Sequence, residues 1–581
     1  MDKQSIIETL EQIARLLELK GENAFKVRAY LHGARTLETA PLSANALTDP
    51  SALSKLEGIG KAIAEKIATL ASTGRLDYFE ELKAQFPPTI FELFEIQGLG
   101  PRKIKVLYDT LRIASVDELE AACKSGKVAA LPGFGEKTVA NLLKAISFAK
   151  KGAGRFLFGS VASDAICLLE DLQKLPSVTR AVIAGSFRRR KETLGDLDFL
   201  VSTRSPESVS DFFVKHSGVA EILAQGATKS SVRLANGMQC DLRVVSEAEF
   251  PFALNYFTGS KEHNVRMRGL CLERGWTLNE YRLSKVESAS NAEPIPEIHE
   301  EADLYRALGM DYVPPELREN LGEIEAARNG CLPRLIELEN LRGTFHNHTT
   351  ASDGRNSLLE MAEAARELGL EYLGIADHSK ASFQAHGLDE KRLLAQIEEI
   401  RELNERLDGI TLLAGTECDI LKDGSLDFSD EILSQLDYVV ASVHSSFQLS
   451  ETAMTARIIR AISNPYVTML GHMTGRLLLS REPYQLDIPA VLDAAASTGT
   501  IVELNANPRR LDLDWRWWPL AKEKGVKCAI NTDAHSTQGL QDLFFGVGIA
   551  RKGWLTREDV INCLPLARVR EVLSAKRKHV K

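Results

Sequence analysis

The sequence predicts a multidomain chain, helical over its first part, α+β in the middle and α/β over its last part. Three observations predict it. To about residue 157, helix-like stretches follow a recurring Gly-hydrophobic-Gly element, at Gly58-Ile59-Gly60, Gly98-Leu99-Gly100 and Gly133-Phe134-Gly135. From 158 to 245, strand-like runs such as Ala181 to Ala184 and Leu197 to Val201 alternate with helical stretches, and one carries Asp196-Leu197-Asp198. Beyond 340, seven of the twelve histidines lie between 346 and 535, mostly at the ends of short apolar runs separated by helix-like stretches.

Taken in order, each glycine pair allows a tight turn, and the helix that follows offers free N–H groups and a positive dipole end to a phosphate. One such pair is a weak signal, equally a plain interhelical turn; three in series point to backbone contacts with nucleic acid that read no sequence.

In the middle region, strand residues two apart point the same way, so Asp196 and Asp198 share a face. Asp241 lies on a later strand-like run, Met238 to Val245, alternating with Gln239 and Arg243. Three converging carboxylates suit a pair of Mg2+ or Mn2+ ions that hold a triphosphate and activate an attacking hydroxyl. Gly185 and Ser186 offer backbone N–H groups and a hydroxyl to phosphate oxygens, and Arg188, Arg189 and Arg190 supply charge for a leaving pyrophosphate. This reads as a nucleotidyl-transfer site.

In the last region, His346-Asn347-His348 turns two imidazoles to one face, a good zinc clamp. Asp353, His378, Glu417, His444, His472, Asp533 and His535 follow at strand ends, where (β/α) barrels place their sites. Nitrogen and carboxylate donors without thiols suit Zn2+ or Mn2+. Asp377 should point away as a supporting group, and His386 lies outside the pattern.

A chain of 581 residues, 44% hydrophobic and 26% charged, has material for several cores. No apolar run approaches the ~18 residues that span a bilayer, and Met1 to Lys20 is amphipathic with no small-residue cleavage site. A cytoplasmic protein without membrane contact is expected. The eight cysteines contain no C-x-x-C pair, which argues against a disulfide framework or thiolate zinc cluster and makes them core residues. A net charge of −9 leaves local phosphate-binding stripes open.

The stretch Gly185 to Asp198, with Asp241, resembles the nucleotidyltransferase palm of family X DNA polymerases, the group of polymerase beta. Tyr256-Phe257-Thr258-Gly259-Ser260 with Asn264 and Arg268 resembles that family's thumb. The resemblance implies catalytic metal ligation by Asp196, Asp198 and Asp241, and a triphosphate cradle at Gly185, Ser186, Arg189 and Gly195. It sets Tyr256, Phe257 and Gly259 against an incoming deoxyribose, with Asn264 and Arg268 monitoring the nascent pair. Leu194 and Lys261 depart from polymerase beta, which has a hydroxyl residue and an acid there. The glycine pairs resemble helix-hairpin-helix motifs, with Gly58, Gly60, Gly98, Gly100, Gly133 and Gly135 at the DNA. The family's lyase lysine falls on Lys66, although Phe25, Ala62 and Tyr78 stand where its supporting residues would be.

Residues 343 to 536 resemble the polymerase and histidinol phosphatase (PHP) domain. That implies a distorted (β/α)7 barrel holding up to three ions: His346, His348, Glu417 and Asp533 for one; Glu417, His444 and His472 for a second; Asp353, His378 and His535 for a third. The expected order is two helix-hairpin-helix domains (1–83 and 84–157), palm (158–245), thumb (246–318), linker (319–339) and PHP domain (340–575). The whole is expected to be a monomeric DNA polymerase of the bacterial family X type, filling short gaps on primer–template DNA with dNTPs. Its second module would be a 3′–5′ exonuclease, with abasic-site endonuclease and 5′-deoxyribose-phosphate lyase activities as extras. Two rivals remain: an RNA or small-molecule nucleotidyltransferase with a PHP phosphatase, and a DNA-end-binding scaffold with structural metal sites.

Overall fold

Two glycines with different conformations open each of three helices. Gly58, Gly98 and Gly133 take φ of +92°, +89° and +84°, a region closed to most L side chains. Gly60 and Gly100 are extended N-caps of the helices Lys61–Thr73 and Pro101–Leu111, neither of which has a side-chain cap. Gly135 immediately precedes the third helix, Glu136–Gly152. The residues between the glycines, Ile59, Leu99 and Phe134, are buried, so the apolar middle anchors each turn and leaves the helix N-terminus free. The computed structural model describes residues 3–39, 46–56, 58–94, 96, 98–152, 154–286 and 293–579; Glu57 and Gln97, beside two of the glycine pairs, lie outside the described residues. These helices belong to a unit formed by Met1–Ala153 with Leu479–Glu482. Its first helix, Lys3–Lys20, buries Ile6, Leu10, Ile13 and Leu17 at helical spacing.

The second unit joins Gly154–Leu478 and Pro483–Lys581. It begins with a five-stranded sheet in the order Val178–Ile183, Asp196–Thr203, Gln239–Val245, Lys229–Leu234, Val219–Ala224. The two carboxylate strands are parallel neighbours, with Asp198 directly opposite Asp241. Strand alternation buries Leu197, Phe199 and Val201 on one face of Asp196–Thr203, which leaves Asp196 and Asp198 on the other. Helices Phe250–Thr258 and Lys261–Glu273 follow. A cluster built on Met267, Trp276, Tyr305 and Val313 takes in Ile324, Ala327 and Leu335. The segment expected as a linker, 319–339, is therefore packed rather than free.

The strands Gly343–Thr344, Tyr372–Ile375, Thr411–Ala414, Glu417–Asp419, Val440–Ser442, Met469–Leu470, Ile501–Asn505 and Cys528–Asn531 pair in parallel in two sheets. Thr411–Ala414 and Glu417–Asp419 are halves of one strand broken at Gly415, where a Cβ would meet the Tyr438 ring at 2.4 Å. Single bridges, His378 to Glu417 and Asn347 to Ala534, join the sheets. Seven strands thus close into a distorted (β/α)7 barrel, as expected. Its inward residues, among them Tyr372, Leu413, Val440, Met469, Ile501 and Ala529, form one apolar cluster. Toward the C-terminal ends the same inward positions turn polar at Glu503, Asn505 and Asn531, which prepares the site above.

One sequence expectation changes. Cys167 and Cys331 are exposed, and only the other six cysteines are core residues. Among the described residues, no helix is long and apolar enough to cross a membrane.

Candidate active sites

The first site is built by the strand pair. Asp198 and Asp241 face each other across the parallel register, and Asp196 lies two residues away on the exposed lip of the same face. Burial, then the charges of Asp196 and Asp241, push the Asp198 carboxyl up to about 6. Burial also works against Asp241, but hydrogen bonds from Ser231, Lys229 and Gln239 outweigh it and hold that carboxyl below its ordinary range. Lys229 Nζ lies 3.1 Å from Asp241 Oδ2, and Gln239 Nε2 donates at 3.1 Å. Carboxylates crowded enough to oppose one another's ionisation are a donor set that a divalent cation relieves.

Gly185 opens the one-turn helix Gly185–Arg188 at φ +60°. A Cβ there would stand 2.3 Å from Asp198 Oδ2, so only glycine lets this turn approach the carboxylate; Ser186 follows it, half-buried. The arginine run differs from expectation. Arg188 donates to both oxygens of Glu301, at 3.0 and 2.8 Å, and to Thr258 Oγ1 at 2.8 Å. Arg190, at φ +54°, turns onto the Phe544 ring, 4.3 Å from its centroid. Arg189 donates to Glu319 Oε1 at 3.1 Å and to the Thr258 carbonyl at 2.7 Å. Arg188 and Arg190 are thus fastening groups rather than triphosphate ligands, because carboxylates and rings distant in sequence claim their charge. Arg189 is half-buried and ties the cradle to the Tyr-Phe-Thr-Gly-Ser turn.

In that turn, the Tyr256 and Phe257 rings meet edge to face with centroids 5.2 Å apart, and Arg243 Cζ stands 5.1 Å from the Phe257 ring centroid. Asn264 Nδ2 donates to the Tyr256 carbonyl at 2.7 Å, and a Cβ on Gly259 would meet Asn264 Oδ1 at 2.4 Å. Arg268 is exposed on the next helix, and the structure gives it no tie to the cradle. Gly195 has open space where a Cβ would stand. In the helical unit, Lys66 Nζ lies 5.1 Å from the Tyr78 ring centroid, with Lys26 Nζ at 5.7 Å from the same ring.

The second site is a cup of imidazoles around one carboxylate. Glu417 Oε1 lies 3.3, 3.2 and 2.9 Å from Nε2 of His346, His444 and His472, and Oε2 lies 2.7 Å from His378 Nδ1 and 3.8 Å from His348 Nε2. Asp533 Oδ1 is 3.2 Å from His348 Nε2, and Asp353 Oδ1 is 3.6 and 3.4 Å from Nε2 of His378 and His535. Ligand-type atoms gather as His348, Asp353, His378 and His535; as His346, His348 and Asp533; and as His378, Glu417 and His444. All nine sequence candidates converge. The grouping shifts: His348 and His378 each fall in two groups, Glu417 gathers only with His378 and His444, and His472 reaches the cup through Glu417 without joining a group.

The donor set fits cations. His346 Nε2, both His348 nitrogens, His378 Nδ1, Glu417 Oε2 and His472 Nδ1 are buried without a hydrogen bond, although several lie within 4 Å of an oppositely charged atom. Of these, His346 Nε2, His348 Nε2 and His378 Nδ1 face the Glu417 carboxylate across the cup, an arrangement that a shared cation would satisfy. Burial, then His535 and His378, lower the His348 imidazole to about 4 and keep it neutral. Burial also opposes charge on His346, but Glu503, Glu417 and Asp533 outweigh it and raise that ring well above its ordinary value. A metal entering here replaces protons.

Supporting groups escaped the sequence reading. Glu503 Oε2 accepts from His346 Nδ1 at 2.7 Å, and its Oε1 accepts from the His472 backbone N–H at 3.0 Å. Asp419 Oδ1 stands 3.2 Å from His444 Nδ1. Each fixes a tautomer and aims the ring's other nitrogen into the cup. The available signal was an acid inside an apolar parallel strand, Val502-Glu503-Leu504, and an acid two residues beyond Glu417. Asp377 turns away and accepts from Thr349 Oγ1, Ser352 Oγ and Gln396 Nε2 at 2.5 to 2.6 Å.

Family models match along the chain: a helix-hairpin-helix domain over residues 1–76, a SAM-like helix-hairpin-helix tandem over 90–147, a DNA polymerase beta thumb over 253–319 and a PHP domain over 344–507. A DNA polymerase/3′–5′ exonuclease PolX of Bacillus subtilis (strain 168) is 38% identical over 575 residues, 99% of each chain. The chain belongs to the PolX family. The PHP part is separately similar to free-standing proteins. A probable phosphatase of Thermoanaerobacter sp. (strain X514) is 30% identical over 247 residues, 40% of this chain and 95% of the relative. Another from Acetivibrio thermocellus is 31% identical over 199 residues, 33% and 78% of the two chains.

Proposed function

We propose that the chain is a DNA polymerase that fills short gaps during repair and carries a metal-dependent 3′–5′ exonuclease in its barrel. The observation that carries this reading is the coexistence of two clusters of ligand-type groups in one PolX chain: Asp198 opposite Asp241 on adjacent parallel strands, and eight ligand-type residues around Glu417. Its substrates are primer–template or gapped DNA and dNTPs, and the uncapped helices at Gly60 and Gly100, with that after Gly135, hold the DNA backbone.

At the first site Asp196, Asp198 and Asp241 hold Mg2+ or Mn2+. Those ions supply charge neutralisation at the triphosphate and a more acidic primer 3′-hydroxyl. The protein supplies placement: Gly185 and Ser186 orient phosphate oxygens, Arg189 fixes the cradle to the thumb, and the Tyr256 and Phe257 rings set the sugar's position. At the second, the nine residues hold Zn2+ or Mn2+, which supply an activated water and a polarised phosphodiester. Glu503 and Asp419 keep the imidazoles aimed, and Asp377 rigidifies the His378 loop. Abasic-site cleavage belongs to the same cup, and lyase chemistry to Lys66 beside Tyr78 and Lys26.

The test is a gapped primer–template reaction with Mn2+, with and without dNTPs, on wild type, Asp198→Ala and His346→Ala. Extension should vanish only in Asp198→Ala and primer shortening only in His346→Ala. Shortening absent from wild type would leave the barrel a phosphatase, and extension surviving in Asp198→Ala would remove the polymerase assignment.

A further inference from the structure

We infer that Arg510 binds the phosphate group attacked in the imidazole cup, a role that no sequence motif indicated and that rests on the nuclease reading above. Arg510 lies in the segment that leaves the inner strand Ile501–Asn505 at its polar end. Its side chain is 19% exposed, and Nε stands 3.4 Å from Asp533 Oδ2. The guanidinium therefore stands beside one of the ligand-type residues and is partly open to solvent. Nη1 is buried and has no hydrogen-bond partner.

A residue whose task was only to neutralise Asp533 would present its fork to the carboxylate. Charge-assisted pairs of that kind close to about 2.7–2.9 Å. Arg510 instead makes one long contact, while Asn505 Nδ2 donates to the same oxygen at 3.1 Å. Leaving a guanidinium N–H buried and unmet is costly, and a tetrahedral oxyanion over the cup is the group whose geometry meets such a fork.

The main chain that carries Arg510 is also held in place. Arg476 Nε donates to the Arg510 carbonyl at 2.9 Å, and the Arg510 backbone N–H donates to the Asn507 carbonyl at 2.8 Å. Arg476 is itself buried and fastened, donating to Asp514 Oδ2 at 2.7 Å and pairing with Glu192. Arg476 is thus a positioning residue for the Arg510 backbone, fixing where the side chain departs.

The experiment compares wild type, Arg510→Gln and Arg510→Lys as full-length Mn2+-loaded proteins. Bound Mn2+ is counted by elemental analysis, inorganic phosphate affinity is read by calorimetry, and KM and kcat are measured on a single-stranded oligonucleotide with a 3′-hydroxyl. Primer extension serves as the folding control. Arg510→Gln should keep the Mn2+ count and the extension rate. It should weaken phosphate binding and raise KM by roughly tenfold or more, the loss of a charged hydrogen-bond partner, with Arg510→Lys between. Unchanged phosphate affinity, or a fall in bound Mn2+ that accounts for the loss, overturns the proposal. If wild type cleaves no DNA yet Arg510→Gln still loses phosphate, the anion clamp stands and the nuclease reading falls.

Discussion

Gly185→Ala puts a methyl group where the structure has no room for one. At φ +60° an alanine costs about 1–2 kcal/mol in the left-handed region, too little to unfold a unit with so large a core. The local effect is larger. The new Cβ would stand 2.3 Å from Asp198 Oδ2, where ordinary contact begins at 3.4 Å, so the carboxylate or the turn must retreat by about 1 Å. A misplacement of that size at reacting groups costs about 100-fold in rate, or about 2.7 kcal/mol of activation free energy. The assay is single-turnover insertion into a one-nucleotide gap, with exonuclease on the same preparation as internal control. Extension should fall about 100-fold and the barrel's activity should hold. Extension within roughly threefold of wild type, less than 1 kcal/mol, would refute the close approach of Gly185 to the catalytic strand.

Gly100→Asp separates a phosphate-binding turn from a plain one. Nothing lies within 4 Å of a Cβ there, and the new carboxylate can cap the Pro101–Leu111 helix, so thermal stability should hold or rise slightly. DNA affinity should fall and its salt dependence should lessen, since one phosphate contact is repelled; unchanged binding in a salt titration would mark the turn as structural. Glu301 gives a pH signature. Burial opposes its ionisation, but Arg318 and Arg188 outweigh it and lower the carboxyl from 4.5 to about 2. Above the ordinary value both folded and unfolded forms are ionised and the full stabilisation is present; as pH falls from about 4.5 toward about 2 the unfolded form binds the proton first and stability is lost. Glu301→Gln should therefore melt below wild type at neutral pH, with the gap narrowing through that window. A gap independent of pH would show that the pair's charge contributes nothing.

The parts of the fold legible in sequence were those that local chemistry announces. A left-handed turn needs glycine, so Gly58, Gly98 and Gly133 announced three helix starts. A barrel places polar groups at strand ends, so His346 through His535 stood out against apolar runs. The carboxylate strand was legible because Asp196 and Asp198 alternate with the apolar Leu197 and Phe199, which sets both acids on one face. Illegible were the groups whose meaning depends on distant partners. Arg188 finds Glu301 at a separation of 113 residues and Arg189 finds Glu319 at 130, partners that a run of arginines beside a phosphate-type turn does not announce. Glu503 looked like an interruption of a core strand, and only the register shows it aiming inward at His346. Arg510 carried no motif at all.

The buried charges between the carboxylate sheet and the barrel bear on how the two sites cooperate. Lys552 is fully buried and donates to the Arg189 carbonyl at 3.2 Å, the Glu316 carbonyl at 3.2 Å and Glu319 Oε1 at 2.6 Å. Burial lowers its ammonium to about 8 despite the pull of Glu319. Arg551 pairs with Glu316 at 2.8 Å, and Arg476 pairs with Glu192 from the far side of the same contact. Around them Phe158 packs on Phe187 and Phe545, with centroids 4.7 and 5.6 Å away. Removing one partner of a buried pair costs about 3–5 kcal/mol because it strands the other charge, and parting this contact would strand several while exposing the rings. A hinge between the sites would have to meet that cost at every turnover. The sheet, thumb and barrel are therefore fastened to one another, so exchange of a DNA end between the aspartates and the imidazole cup would have to come from movement of the strand rather than of these parts.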